Sequence, residues 1–166
     1  MTGDKEEQGP ISHGMCRACF EALQYEPVSL NEFLQKLKAP VMMVDKEGRV
    51  LGANSGVEVI LGKESDEIAN RLSGEVLECV NASLPGGCGR TVHCTGCTIR
   101  GAVDRTRETG VSETGIPAFI MTKTPDGVQR TWFRISTELL GNVVLLRIDA
   151  FGQGEEPPLF ASLYPG

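Results

Sequence analysis

The chain has 166 residues, 16 of them basic and 22 acidic, with a net charge of −6 at pH 7 and 40% hydrophobic residues. That length suits one compact domain with flanking segments rather than two full domains. The acidic excess argues against direct binding to nucleic-acid phosphates or to an anionic membrane surface, and no apolar run reaches the roughly 20 residues of a membrane helix.

The first ten residues are polar and acidic, which is not the pattern of a secretory signal. We therefore expect a cytoplasmic protein, in which thiols are normally kept reduced. The chain nevertheless contains six cysteines. In that setting they indicate metal or redox chemistry more than structural disulfides.

Residues 1–28 are interpreted as a polar tail followed by a short helix near 15–24 that carries Cys16 and Cys19 in a Cys-x-x-Cys pair. Ser29 and Glu32 then form a capping-box pattern. Apolar residues follow at helical spacing up to Pro40, so we predict a helix over residues 29–38.

The next segment has the pattern of a hairpin followed by short helices. Two apolar runs, 41–44 and 49–53, flank the turn residues 45–48. Asn54 is a favourable N-cap for a helix that Gly62 ends, and residues 65–71 are also helical in pattern.

The final third of the chain predicts one helix and three strands. Apolar residues recur at helical spacing from Ile99 to Thr106, and Gly110 ends that helix. Strands are predicted over residues 115–122, 130–139 and 143–150, joined by Pro-Asp-Gly and Gly-Asn turns. Residues 151–166 have the composition of a linker and tail with a short apolar tip. The economical fold class is α+β, an antiparallel sheet with helices packed on one face and an N-terminal helix.

Residues 37–54, with their hairpin and terminal asparagine, resemble the opening of a PAS domain. Residues 57–62 are similar to its following helix, and the three closing strands fit its C-terminal hairpins. The resemblance covers residues 29–150, which we assign as the PAS domain, with a cysteine-rich loop at 79–97. It implies a five-stranded sheet around a pocket for a small molecule or cofactor. It also implies a sensory role, pairing into a homodimer through the N-terminal helix, and an output such as a histidine kinase of a two-component system or a transcription regulator.

Four cysteines lie within 19 residues, at Cys79, Cys88, Cys94 and Cys97. The Cys94-x-x-Cys97 pair allows two sulfurs to converge on one metal, and Cys88 lies in flexible glycine-rich chain. Four thiolates suit tetrahedral zinc or an iron–sulfur cluster, so these four are the candidate metal ligands. Their spacing matches neither a zinc ribbon nor a ferredoxin motif.

Other interpretations of the cysteines remain open. Cys16 and Cys19 with Cys94 and Cys97 form an alternative four-sulfur set. The cysteines also fit a reversible dithiol switch, or small buried residues without redox chemistry. His93 is interpreted as a solvated loop residue, and Arg100, Asp104 and Arg107 as ion pairs on a solvated helix face.

The sequence therefore predicts a PAS-type sensory and signal-transduction module that reads redox state or a ligand through a cysteine-bound metal or cluster. It is not expected to be an enzyme. One alternative is a structural interaction module stapled by zinc. Another, a Cys-x-x-Cys oxidoreductase, is disfavoured because no thioredoxin-like βαβ pattern surrounds the pair.

Overall fold

The computed structural model describes residues 29–154. The predictions for Cys16, Cys19 and the terminal segments 1–28 and 155–166 concern residues outside this described part of the chain. Five strands form one antiparallel sheet in the order β2-β1-β5-β4-β3. They are β1 (Val41–Val44), β2 (Val50–Ala53), β3 (Glu113–Thr124), β4 (Gly127–Leu140) and β5 (Val143–Gln153). The predicted α+β class is confirmed.

The helices fall in the long connection between β2 and β3, apart from one that precedes the sheet. They are α1 (Leu30–Lys36), α2 (Ser55–Leu61), α3 (Ser65–Ile68), α4 (Ser73–Val76) and α5 (Thr98–Thr109), with 3-10 turns at Val80–Ser83 and Val92–Gly96. The short α4 was not predicted. The helix predicted over residues 65–71 ends early, because Ala69 is extended and Asn70 has a positive φ of 61°.

Helices pack against both faces of the sheet. Helices α2 to α5 pack on one face, where their apolar residues meet Met42 and Val44 of β1 in the main core. Helix α1 packs on the opposite face, where Leu34 meets Val41 and Met43. Alternate residues of a strand point to opposite faces, so β1 is buried throughout because both of its faces are covered.

The predicted helix boundaries depend on local hydrogen bonds that the structure contains. The Ser29 hydroxyl accepts from the Glu32 amide, and the Glu32 carboxylate accepts from the Ser29 amide. Asn54 caps α2, and Gly62 ends that helix in the left-handed conformation. These three predictions are confirmed.

The closing strands are longer than predicted. Strand β5 continues to Gln153, three residues past the expected boundary at residue 150. It does so because the first half of β4 is available for pairing: Phe133 pairs with Phe151 and Trp132 with Gly152. Trp132 and Phe133 are both buried and, as neighbours on a strand, face opposite sides of the sheet. Within residues 29–154, no helix combines the length and apolar character needed to cross a membrane.

Candidate functional site: a cysteine-lined cavity

A cavity of about 220 Å³ lies on the face of the sheet that α2 to α5 cover. It is bounded by β1, β3, α4, α5 and the 79–97 loop. Its apolar wall includes Val44, Leu77, Ile99, Val103 and Ile120. Sites for drug-sized ligands occupy roughly 300–1,000 Å³, so this cavity suits a smaller group.

The cysteines Cys79, Cys88, Cys94 and Cys97 all line this cavity. They come from three separate pieces of chain: the residue before the first 3-10 turn, the glycine-rich stretch, and the second 3-10 turn with the start of α5. Each is partly buried and carries a free thiol. One loop therefore directs four sulfur-bearing side chains at one space.

Backbone contacts hold the two ends of this loop. The amide of Cys79 donates to the Gly74 carbonyl at 2.8 Å, and Cys79 forms an isolated antiparallel bridge with Thr122 of β3. At the other end, Cys97 is the N-cap residue of α5, and the amide of Gly101 donates to its carbonyl at 2.9 Å. Movement of the loop is thus connected directly to β3 and to α5.

Cys88 is packed against a glycine of α4. A β-carbon added at Gly74 would lie 2.6 Å from the Cys88 sulfur, which is closer than real atoms approach. Burial is the main reason that the pKa of the Cys88 thiol is raised, and the nearby thiols of Cys94, Cys97 and Cys79 add to the increase. A hydrogen bond from the Gly74 backbone acts in the opposite direction. The Cys88 thiol therefore resists ionisation.

Cys94 has the opposite electrostatic environment. Its sulfur accepts a hydrogen bond from the Gly89 amide at 3.2 Å and lies 3.1 Å from the Thr91 hydroxyl. Burial acts to raise the pKa of Cys94. The hydrogen bonds from Thr91 and Gly89, with the charge of Arg100, outweigh that effect and lower it. One cavity thus contains one thiol with a lowered pKa and another with a raised pKa.

The donor chemistry suits a soft metal, but the donors are not gathered around a single point. Among residues 29–154, no three His, Cys, Asp or Glu side chains are grouped closely enough to hold a metal ion. His93 also borders the cavity and is exposed. The four thiols therefore share a cavity without forming a closed coordination site.

Three charged residues that sequence reasoning assigned to a solvated face also line the cavity: Arg100, Asp104 and Arg107. The expected ion pairs are present, with Arg100 Nε 3.5 Å and Arg107 Nη1 3.1 Å from the Asp104 carboxylate. These side chains are partly exposed, as predicted, and they also border the cavity because this stripe of α5 faces both the loop and solvent. The sequence contained a signal for this position. Arg100, Asp104 and Arg107 have i, i+4, i+7 spacing, which puts them on one face of the helix that begins next to Cys97.

No protein-family model matches the chain, and no curated protein matches it. Several solved structures are similar. The PAS domain of a Colwellia psychrerythraea protein has 15% identity, covering 70% of this chain and 90% of its own, with a TM-score of 0.46. A domain of a sensory box sensor histidine kinase/response regulator from Geobacter sulfurreducens has 16% identity, covering 71% and 88%, with a TM-score of 0.47. The PAS domain of nitrogen regulation protein NR(II) from Vibrio parahaemolyticus has 13% identity, covering 71% and 94%, with a TM-score of 0.43.

The class of protein is defined by the architecture itself. A five-stranded antiparallel sheet in the order β2-β1-β5-β4-β3, with its helices inserted between the second and third strands, is a PAS-like fold. The resemblance carried by residues 37–54 is confirmed at the level of the fold. A fold does not define a function, so the function is argued from the cavity.

Proposed function

We propose that the chain is a PAS-type sensory module whose signal is the state of the thiols in its cavity. One observation supports the proposal: four cysteines from three pieces of chain line a single space against the sheet. Cysteines retained only for packing are expected in apolar, periodic segments. Cys88 and Cys94 instead occupy loop positions among glycine, threonine and histidine.

In this proposal a zinc ion or an iron–sulfur cluster is bound by Cys79, Cys88, Cys94 and Cys97. Because these thiols are not gathered around a point, binding requires the 79–97 loop to close. The module then has two states with different contacts, as any ligand-driven switch needs. Thiol ligands release protons when a metal binds, so occupancy also depends on pH.

The route from the loop to the rest of the domain begins at Cys97, because this residue caps α5. Within α5, the Thr106 hydroxyl lies 2.6 Å from that of Thr137 on β4, and both residues are buried. A shift of α5 is therefore transmitted to the sheet. Helix α1 packs on the other face of the sheet, where it contacts β1 and β5 through the second cluster.

We further propose that the output is read by a partner rather than by catalysis within this chain. Pairing into a homodimer through α1 or the segment before it, and coupling to a histidine kinase or another signalling domain in the cytoplasm, would complete such a module. The role in this scheme is regulatory, with no reaction assigned to the cavity.

The test is metal and spectroscopic analysis of protein purified without oxygen. We expect about one equivalent of zinc, or iron with a broad visible absorption. The double variant Cys79→Ser/Cys88→Ser is expected to lose the bound metal. The matched variant Cys16→Ser/Cys19→Ser is expected to retain it.

Metal-free protein with all thiols open to titration would contradict metal sensing. Loss of metal only in the Cys16/Cys19 double variant would move the site to the alternative set with Cys94 and Cys97. A redox titration separates a sensor from a zinc-stapled interaction module. The sensor changes oligomeric state or partner affinity with potential, whereas a staple responds only when the domain unfolds.

A further inference from the structure

The guanidinium of Arg100 lies across the backbone of the cysteine loop at the edge of the cavity. A β-carbon added at Gly89 would lie 1.7 Å from Arg100 Nη1, and one added at Gly48 would lie 3.9 Å from the same atom. Both glycines have a φ of +83°. The guanidinium therefore occupies space that is open because Gly89 has no side chain.

Arg100 and Arg107 differ in how their donors are used. Arg107 Nη1 donates to the Asp104 carboxylate at 3.1 Å and to the Lys46 carbonyl at 3.3 Å, and Nη2 donates to the Asp45 carbonyl at 2.8 Å. Arg107 is thus tied to the β1–β2 turn. Arg100 forms no hydrogen bond with any other residue between 29 and 154, and its Nε is 3.5 Å from Asp104, beyond an ordinary hydrogen bond.

The charges around the cavity therefore do not cancel. Asp104 is shared between two arginines, and its closer contact is to Arg107. With the thiols protonated, counting the arginines and the carboxylate that line the cavity gives 2 − 1 = +1, in a chain whose net charge is −6. The surplus charge is on Arg100, whose side chain is 39% exposed. Next to it the wall is apolar, with Ile99 and Val103 on the same helix.

We propose that this cavity binds a small organic anion with an apolar body, whose carboxylate is held by Arg100. A planar guanidinium with free donors matches a carboxylate through two parallel hydrogen bonds. The apolar wall takes the hydrocarbon part of the ligand, and 220 Å³ limits it to a short chain. This proposal does not depend on the metal proposal, because it uses no cysteine ligand.

The test is calorimetric titration of the full, reduced chain in the presence of a chelator with three probes. Hexanoate has both the charge and the apolar body, hexanamide has the body without the charge, and acetate has the charge without the body. We expect hexanoate to bind at least about ten-fold more tightly than either of the other two. A ten-fold preference corresponds to about 1.4 kcal/mol.

Variants identify the group that holds the carboxylate. Arg100→Gln is expected to weaken hexanoate binding about ten-fold, whereas Arg90→Gln, on an exposed loop position outside the cavity lining, leaves it unchanged. Gly89→Ala displaces the guanidinium without removing its charge, and it too is expected to weaken binding. Gly62→Ala introduces the same left-handed strain, but its β-carbon meets nothing within 4 Å, so binding is retained.

Four results would overturn the proposal. Equal binding of hexanamide and hexanoate would show an apolar cavity without anion recognition. Equal hexanoate binding by wild type and Arg100→Gln would show that the anion binds away from Arg100. The same conclusion would follow if the Arg90→Gln and Arg100→Gln substitutions weakened hexanoate binding equally. Absence of hexanoate binding to the wild-type chain, at concentrations that saturate a millimolar site, would also refute it. None of these results bears on whether the thiols bind metal.

Discussion

Among substitutions that remove one polar side chain near the β1–β2 hairpin, Asn54→Ala is expected to destabilise the domain most. Asn54 is 1% exposed, and its amide group connects three parts of the chain. Its Oδ1 accepts from the Val41 amide at 3.0 Å and from the Val57 amide at 3.4 Å. Its Nδ2 donates to the Leu37 and Ala39 carbonyls at 3.0 and 2.7 Å. It thus ties the end of α1 and the start of β1 to α2.

The magnitude depends on which groups are left without a partner. The Val57 amide also donates to the Asn54 backbone carbonyl at 3.0 Å, so it keeps a partner in the variant. The Leu37 and Ala39 carbonyls belong to half-buried residues and can reach water. The Val41 amide is in a buried residue and loses its partner, which costs about 1–3 kcal/mol. Loss of the N-cap adds about 1 kcal/mol. We expect a decrease of about 3 kcal/mol in the free energy of unfolding, and roughly 10 °C in Tm.

Urea unfolding followed by circular dichroism measures this change, with Asn31→Ala as the control. Asn31 is exposed, and within residues 29–154 its side chain accepts one hydrogen bond, from Gln35 Nε2 at 3.5 Å. The control is expected to change stability by less than about 0.5 kcal/mol. If Asn54→Ala unfolds at the same urea concentration as the wild type, the side chain does not connect these segments and the reasoning is wrong.

Two further predictions concern the cavity. Gly74→Ala forces the Cys88 side chain to move and should lower the free energy of unfolding, measured in urea, by about 1–3 kcal/mol. Gly96→Ala should be nearly neutral, because there is open space around its β-carbon. Equal effects of the two substitutions would contradict the packing of Cys88 against Gly74. In metal-free, reduced protein, half-maximal alkylation by iodoacetamide should occur at a lower pH for Cys94 than for Cys88. The reason is that the thiolate is the reactive form, and the pKa of Cys94 is lowered while that of Cys88 is raised. Mass spectrometry of the labelled peptides reports both residues, and the reverse order would refute the hydrogen-bonding argument.

The cysteine loop shows how much of the candidate site could be predicted from the sequence. The density of cysteine and glycine over residues 79–97 was enough to nominate four thiols together. Their common cavity depends on contacts that no spacing encodes. The β-bridge between Cys79 and Thr122 joins residues that are 43 positions apart in the chain. The packing of Cys88 depends on the absence of a side chain at Gly74. The opposite directions in which the pKa values of Cys94 and Cys88 are shifted follow from these surroundings.

Arg100 shows the opposite case, in which a local pattern was interpreted correctly but its position at the cavity was not predicted. Its i, i+4 pairing with Asp104 was readable because helix geometry fixes which side chains are neighbours. Helix periodicity does not reveal what packs against that stripe. Tertiary packing brings Gly89 next to the Arg100 guanidinium and places Arg100 in the cavity wall.

By itself the sequence determined the features controlled by a few consecutive residues. These are the Ser29 capping box, the Asn54 cap, the left-handed end at Gly62 and the hairpin turns, because each depends on hydrogen bonds within one turn of chain. Tertiary structure decided the separation of α1 from the other helices, the extension of β5 to Gln153 and the convergence of thiols and arginines on one space. These features depend on which distant surfaces become buried together, and that is settled only when the whole sheet packs.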